Sequence, residues 1–261
     1  MTNSLENKTI ISTRPFNRDA QLIDLLITEG ANYISLPMIA VEMNELTSDQ
    51  KNALINLQQF DWVIFTSISG VQFFFEHLKT ICSEKIFPPN LKTAVVGHST
   101  KKELEKFGVE ATLVSDGNTS MDFLKHLNSA ILENSNQKLL LPFGNLAGDL
   151  LELNLKSKAQ ICRINVYNTI APRQVDSVLL RKIILHQYDL ILLSSPSAFY
   201  NLKVHLGASF PIKELRVACI GPVTEKALTD YEVIPQVVAE SSTAEGLFES
   251  VKKYFQTKNK K

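Results

Sequence analysis

Two short glycine turns stand out for what they could hold. Val95-Val96-Gly97-His98-Ser99-Thr100 and Cys219-Ile220-Gly221-Pro222-Val223-Thr224 each pass from an apolar run through one glycine to a hydroxyl residue. Glycine permits a tight strand-to-helix turn, and the free backbone N–H groups at a helix start attract anions. Thr100 with Glu103 also has capping-box spacing, and the plainer expectation is that Thr100 and Thr224 only cap helices. One glycine per turn does not make the G-x-G-x-x-G of a dinucleotide site. A second pair follows Phe65 and Leu193: Thr66-Ser67-Ile68-Ser69-Gly70 and Ser194-Ser195-Pro196-Ser197. Each reads as a strand end entering a helix through several hydroxyls, and Pro196 suits a first helical turn. Thr119 and Thr243 are expected to cap the last helices. Arg14 ends the first strand, where a guanidinium could grip a carboxylate bidentately or form a surface ion pair. Tyr167 lies in an extended run and reads by itself as a packing or hinge residue.

Other chemistries lack their residues. His77, His98, His126, His186 and His205 have no metal-ligand spacing with cysteine, and no Ser-His-Asp, Cys-His or P-loop signature occurs. Hydroxyls and backbone amides dominate the candidate turns. That points to a reaction whose reagent carries its own reactivity, or to binding alone.

The elements that position these turns form a repeat. Residues 91–127 align without a gap on residues 215–251, with Gly97 on Gly221, Thr100 on Thr224 and Thr119 on Thr243. Each copy reads strand, glycine turn, helix, strand, polar turn, helix. Residues 8–13 (KTIIST) and 138–141 are the opening strands of the two halves, and residues 60–65 match 188–193. Residues 17–30, 47–60 and 67–78 have helical spacing, with Val71, Phe74, Phe75 and Leu78 on one face of the last. Residues 32–41 and 160–169 are extended, and Pro37 argues for an edge or a chain crossing. The first repeated helix closes at Gly108, whereas the second ends in Tyr231-Glu232 with no glycine. Strands alternating with helices throughout predict an α/β fold: two flavodoxin-like, doubly wound parallel-sheet domains from an internal duplication. In such sheets ligands bind beyond the carboxyl ends of the strands, where the motifs fall.

Composition narrows the class. The chain has 261 residues, 44% of them apolar, with formal net charge +0. No global field recruits nucleic acid or a membrane surface. No apolar run approaches the ~20 residues of a membrane span. Cys82, Cys162 and Cys219 are odd in number and lack C-x-x-C, which suits a reducing, cytoplasmic setting. The terminal Lys258 to Lys261 run reads as a solvated tail.

These motifs, in this order and spacing, resemble the uroporphyrinogen-III synthase family. The resemblance runs over about residues 8–251. It rests on Thr13-Arg14-Pro15, FTSISGV (65–71), AVVGHST (94–100), VYNT (166–169), SSPSAF (194–199), CIGPVT (219–224) and VAESSTAEGL (238–247). It implies an interleaved wiring: residues 1–37 with 172–261 as one domain and 38–171 as the other. Two extended segments, about 34–41 and 163–172, would pair as a two-stranded linker. The residues alone equally allow two tandem domains split near Glu133. The resemblance also implies a reaction without cofactor or metal. Hydroxymethylbilane, a linear tetrapyrrole polycarboxylate, loses its hydroxyl and closes with its last pyrrole ring inverted, by way of a spirocyclic intermediate. The anionic substrate would be held by Arg14, Thr66, Ser67, Thr100, Ser194, Ser195, Ser197 and Thr224. Tyr167 would be the catalytic general acid. Where many members carry a basic residue, this chain has Pro142-Phe143-Gly144, and Arg173 is the cation offered instead. A monomer is expected. The rival expectation is a non-enzymatic tetrapyrrole or small-anion binding protein of the same fold.

Overall fold

A computed structural model of the chain describes residues 3–15, 20–82, 87–115, 123, 124, 127 and 136–258. Its contacts divide into two units, Met1–Ala40 with Ile170–Lys261, and Val41–Thr169. The chain opens with β1 (Thr9–Ser12), α1 (Ala20–Thr28) and β2 (Asn32–Ser35). It continues through β3 (Ala40–Met43), α2 (Ser48–Ile55), β4 (Trp62–Phe65), α3 (Ile68–Ile81), β5 (Lys92–Val96), α4 (His98–Glu105) and β6 (Leu113–Ser115). Next come β7 (Gln137–Gly144), α5 (Leu150–Leu155) and β8 (Ala159–Ile170). The first unit is completed by α6 (Ser177–Ile184), β9 (Leu190–Leu193), α7 (Pro196–Leu206), β10 (Val217–Cys219), α8 (Pro222–Thr229), β11 (Val237–Val238) and α9 (Ala244–Lys258).

The first unit's sheet has the order β11-β10-β9-β1-β2, and every pair in it is parallel. Counted along its own strands that is 2-1-3-4-5, the flavodoxin-like order. The second unit's sheet runs β3-β8-β7-β4-β5-β6. Starting from β7, its strands from β8 to β6 follow the same 2-1-3-4-5 order, with β3 added at the edge. Here the chain supplies strands three to five before one and two.

Parallel strands need crossovers, and the helices that make them cover both faces. The central strands β4 and β9 are therefore apolar without interruption: Trp62 to Phe65 and Leu190 to Leu193 are buried at every position. Alternation splits them between two cores. In the first unit Ile11, Ile191, Leu193 and Val217 pack with Phe199, Leu202 and Leu228 of α7 and α8. Ile10, Leu190, Leu192 and Ala218 face α1 and α9 through Leu22, Leu26, Leu247 and Phe255. In the second, Val63, Phe65, Val95, Ile164 and Val166 meet Phe74, Phe75 and Leu104. Trp62, Ile64, Leu139, Leu141 and Phe143 meet Leu151 and Leu155 on the other face. Among the described residues no helix is long and apolar enough to cross a membrane.

The crossing segments differ from the expected linker. Residues 34–41 are not one strand: β2 ends at Ser35 in the first sheet and β3 starts at Ala40 in the second. Pro37 has no N–H to give a ladder and stands in the gap. β3 is the strand that lies beside β8, so the division falls within the crossing strands, at Ala40–Val41 and Thr169–Ile170. The helix expected over 47–60 is shorter too. Thr47 caps α2 in a full capping box with Gln50, and Leu57–Gln59 is a separate 3-10 turn.

Gly108 sits in the left-handed region at φ 74°, and Glu232, at the matching place in the repeat, takes φ 58°. The backbone keeps the turn and a side chain bears the strain. The Lys213–Glu232 ion pair is exposed on both sides and compensates little. Glu232→Gly is expected to stabilise the protein by about 1 kcal/mol, read as a higher midpoint in urea unfolding. An unchanged or lower midpoint would show that the conformation carries no strain.

Candidate functional site

The strands that carry the hydroxyl turns pair in parallel within each sheet, so their carboxyl ends share one edge of their own sheet. In the first unit the chain order reverses between β1 and β9. Arg14 follows β1, and Ser194-Ser195 follows β9. The two flank that switch point, the usual ligand position in a doubly wound sheet. Ser195 is the N-cap of α7 and accepts the Ala198 N–H at 3.2 Å. Ser197 is in the first turn, half-buried. Ser194 Oγ is buried and has no hydrogen-bond partner among the described residues. Thr13 Oγ1 donates to the Leu192 carbonyl at 2.7 Å and ties β1 to β9 just below.

Thr224 and Thr100 are not caps, which corrects the plainer expectation. Gly221 and Gly97 take the cap positions, and each threonine is the third residue of its helix, 2% and 4% exposed. The capping box of Thr100 with Glu103 does not form: Glu103 instead accepts from Gln72 Nε2 at 2.8 Å and pairs with Lys106. The two glycines differ in what a side chain would meet. Gly97 has φ 76°, which a side chain rarely adopts. Gly221 is extended, but a Cβ there would lie 2.5 Å from Ser242 Oγ. At α8 the first turn has fewer donors for an anion, since Pro222 has no N–H and the Thr224 N–H is taken by the Gly221 carbonyl at 3.1 Å. Thr243 does cap α9, accepting the Gly246 N–H at 3.0 Å. Thr119 and His126 lie outside the described residues.

In the second unit the order reverses between β7 and β4. Thr66-Ser67 follows β4, and Ser67 caps α3 by accepting the Gly70 N–H at 3.0 Å. Ser67 Oγ also lies 3.3 Å from Tyr167 Oη. Tyr167 comes from β8, one strand beyond β7, and a bulge brings it there. Phe143 pairs with Asn165, but Gly144 pairs with Tyr167, so one residue of β8 is extra. In an unbroken strand Val166 and Tyr167 would point to opposite faces. Here both pack against the core on the α3 side. The ring stacks on Phe73, with centroids 5.6 Å apart and planes at 25°. It lies so close over Gly144 that a Cβ there would be 2.4 Å from Tyr167 Cζ. The missing basic residue at the end of β7 therefore has a steric cause. Arg163, whose guanidinium reaches this strand end, is committed to Glu152 at 2.7 Å, the Ala147 carbonyl at 2.9 Å and Asn165 Oδ1 at 3.1 Å.

Sequence reasoning missed the residues that hold Tyr167. Phe73 and His77, four apart on α3, lie outside the face marked by Val71, Phe74, Phe75 and Leu78. His77 is 5% exposed, and its Nε2 donates to the Val166 carbonyl at 3.0 Å. The i, i+4 spacing is the available signal, but a histidine in that row has no distinctive pattern. The structure brings together Ser67 and Tyr167. It sets Thr100 and Thr224 in the helices that follow β5 and β10, the strands next to β4 and β9 in their own units.

Burial pushes Cys219 up to about 11 and also raises Cys162. Burial lowers His77, against smaller raising effects from the Val166 hydrogen bond and Glu76, with Lys51 adding to the lowering. Among the described residues no group of three or more His, Cys, Asp or Glu could hold a metal ion. The site can donate and accept hydrogen bonds and hold anions.

Comparison with known proteins points to one family. The family model described as uroporphyrinogen-III synthase HemD matches residues 20–249. A putative uroporphyrinogen-III synthase of Methanocaldococcus jannaschii is 26% identical over 248 residues, covering 93% of this chain and 97% of that protein. The porphyrin biosynthesis protein HemD of Ruminiclostridium josui is 26% identical over 254 residues, and this chain spans 49% of its length. Among solved structures, the uroporphyrinogen-III synthetase of Helicobacter pylori is similar with TM-score 0.60 at 15% identity, covering 93% of this chain and 97% of that one. A mutant uroporphyrinogen III synthase of Thermus thermophilus gives 0.59 at 17%, covering 96% and 99%. These structural likenesses concern the fold.

Two outcomes follow from the packing. Gly144→Ala should destabilise the protein by ~1–3 kcal/mol in denaturant unfolding, and should cost much less in a Tyr167→Ala background, where the clash partner is gone. Equal costs in both would mean the ring does not exclude the methyl group. His77 has a folded pKa below the ordinary histidine value of 6.5. The unfolded chain then takes up the proton first, so the contribution is full above pH ~6.5 and is lost as pH falls through the folded value. Unfolding midpoints measured down that range should decline less steeply in His77→Gln than in the wild type.

Proposed function

The chain belongs to the uroporphyrinogen-III synthase family, and from that premise we propose that it closes hydroxymethylbilane to uroporphyrinogen III with loss of water and inversion of the last ring. This makes it a cyclising lyase of porphyrin biosynthesis. The observation that carries the reading is Tyr167: a phenol turned by a strand bulge to the switch point of its sheet, beside Ser67.

The reagent supplies most of the reactivity. A pyrrole nitrogen lone pair pushes out the hydroxyl of the bilane, leaving an electrophilic azafulvene. Tyr167 donates a proton to the departing hydroxyl, which leaves as water. A phenol with a reference pKa near ~10 is protonated at neutral pH and able to do this. The substituted α-carbon of the last ring then attacks to give a spirocyclic intermediate; the bond from that carbon to the methylene of the neighbouring ring breaks, the freed methylene bonds to the unsubstituted α-carbon of the last ring, and that carbon gives up its proton as the macrocycle forms. That proton restores the phenol, and the sum is one water lost. Unaided closure gives the uninverted isomer, so the protein's task is to position the chain. Arg14, Ser194, Ser195, Ser197 and Thr224 in one unit would hold carboxylates, with Thr66, Ser67 and Thr100 in the other. Support for these roles comes from their places at the strand ends and at the starts of the helices that follow. The buried Ser194 hydroxyl without a partner suits a ligand oxygen.

The test is product identity. Freshly prepared hydroxymethylbilane is incubated with the protein, and the oxidised products are separated into type I and type III uroporphyrins. A type III excess over a protein-free control is expected. Type I alone from a folded protein that binds the bilane would leave a binding protein. Tyr167→Phe should fold normally and lose ~100-fold or more in kcat. Full activity in that variant would remove the phenol from the mechanism.

A further inference from the structure

We propose that His77 is a positioning residue for Tyr167, its Nε2–H fixing the Val166 carbonyl and thereby the bulge that aims the phenol. The inference rests on the reading of Tyr167 as proton donor.

One helix grips the bulge at successive points. Ser67, the cap of α3, meets the phenol oxygen; Phe73 carries the ring; His77, one turn further on, reaches the peptide before it. Phe73 and His77 are four apart and share a helix face. The Val166 carbonyl accepts two hydrogen bonds, from the Asn44 N–H at 3.2 Å and from His77 Nε2 at 3.0 Å. The first is of the kind a neighbouring strand supplies. The second is a side-chain bond to a carbonyl already served, from a ring that is 5% exposed. A leucine would fill that volume without a polar group to satisfy. What the imidazole adds is direction. The carbonyl of Val166 and the amide of Tyr167 share one rigid plane, so holding the oxygen from two sides sets how the next residue leaves the strand. The following carbonyl is held as well, accepting from the Asn145 N–H at 3.1 Å. Gly144 leaves the ring room, and β8, an inner strand of the sheet, gains a kink only where these partners meet.

The bond also fixes a tautomer. A carbonyl only accepts, so His77 must carry its proton on Nε2. Lowering by burial keeps the ring neutral and leaves a single N–H for this contact. No step of the proposed reaction uses His77.

The test pairs kinetics with a spectroscopic probe of Tyr167. Wild type, His77→Leu and His77→Gln are made with ring-labelled tyrosine; the chain has six tyrosines, so Tyr167→Phe assigns the resonance. In His77→Leu, measured well below its unfolding midpoint, kcat for type III product should fall ~10- to 100-fold with KM little changed. The Tyr167 ring resonances should shift or broaden. His77→Gln keeps an N–H donor at similar reach and should restore both. Wild-type kcat and an unmoved Tyr167 signal in His77→Leu would overturn the proposal. If His77→Leu does not fold, nitrogen-detected NMR of the wild-type imidazoles decides. An Nε2–H tautomer in slow exchange is expected at His77, and an Nδ1–H tautomer would rule out the bond. Were the wild type to make no type III product, the synthase reading would fail, while the tautomer and ring signals would still report on positioning.

Discussion

Parallel pairing is the constraint on which the rest depends. A strand laid parallel to its neighbour cannot return by a hairpin, so each connection must cross a face of the sheet. Helices then cover both faces, and the strands become apolar along their whole length. Polar chemistry is driven to the strand ends, and the carboxyl ends are where helices begin and N–H groups stand open. Phe65-Thr66-Ser67 and Leu193-Ser194-Ser195 show the change within one residue, from a buried aromatic or leucine to hydroxyls. The same constraint sets the location of the switch points that Arg14 and Tyr167 adjoin.

What could be read from the sequence follows the same physics. Buried parallel strands appear as apolar runs, and turns that need positive φ, such as those at Gly97 and Gly108, need glycine. The alternation of strands and helices and the α/β class were legible for that reason. The exact task of a hydroxyl was not. Thr100 and Ser67 both stand near a glycine at a helix start, yet Ser67 caps and Thr100 does not, because the backbone of Gly97 takes the cap position. Three residues of offset from the cap decide, and the composition of the turn does not resolve it. The crossing segment over 32–41 reads as a single extended run because extended backbone looks alike in any sheet. Only the pairing partner distinguishes β2 from β3.

Gly144 shows how a departure from a family pattern can be physical rather than a loss. A basic side chain at the end of β7 and a phenol folded over it from β8 compete for one volume. With Tyr167 Cζ 2.4 Å from where a Cβ would stand, the ring has that space. Arg163 cannot stand in as the cation, since its donors are used by Glu152, Asn165 and the carbonyl of Ala147.

The two units share a strand order but not a chemistry. In the first, the switch point has a guanidinium on one side and a cap serine on the other. In the second, the guanidinium's place is taken by glycine and the strand beyond contributes a phenol. Each unit has a glycine as the cap of one helix, Gly221 in the first and Gly97 in the second. The asymmetry lies in what replaces a side chain after strand one: Arg14 in one sheet, and in the other an empty position that lets Tyr167 in. Bringing the phenol to the switch point takes the absence of a Cβ and one extra residue in a strand, with no new element of fold.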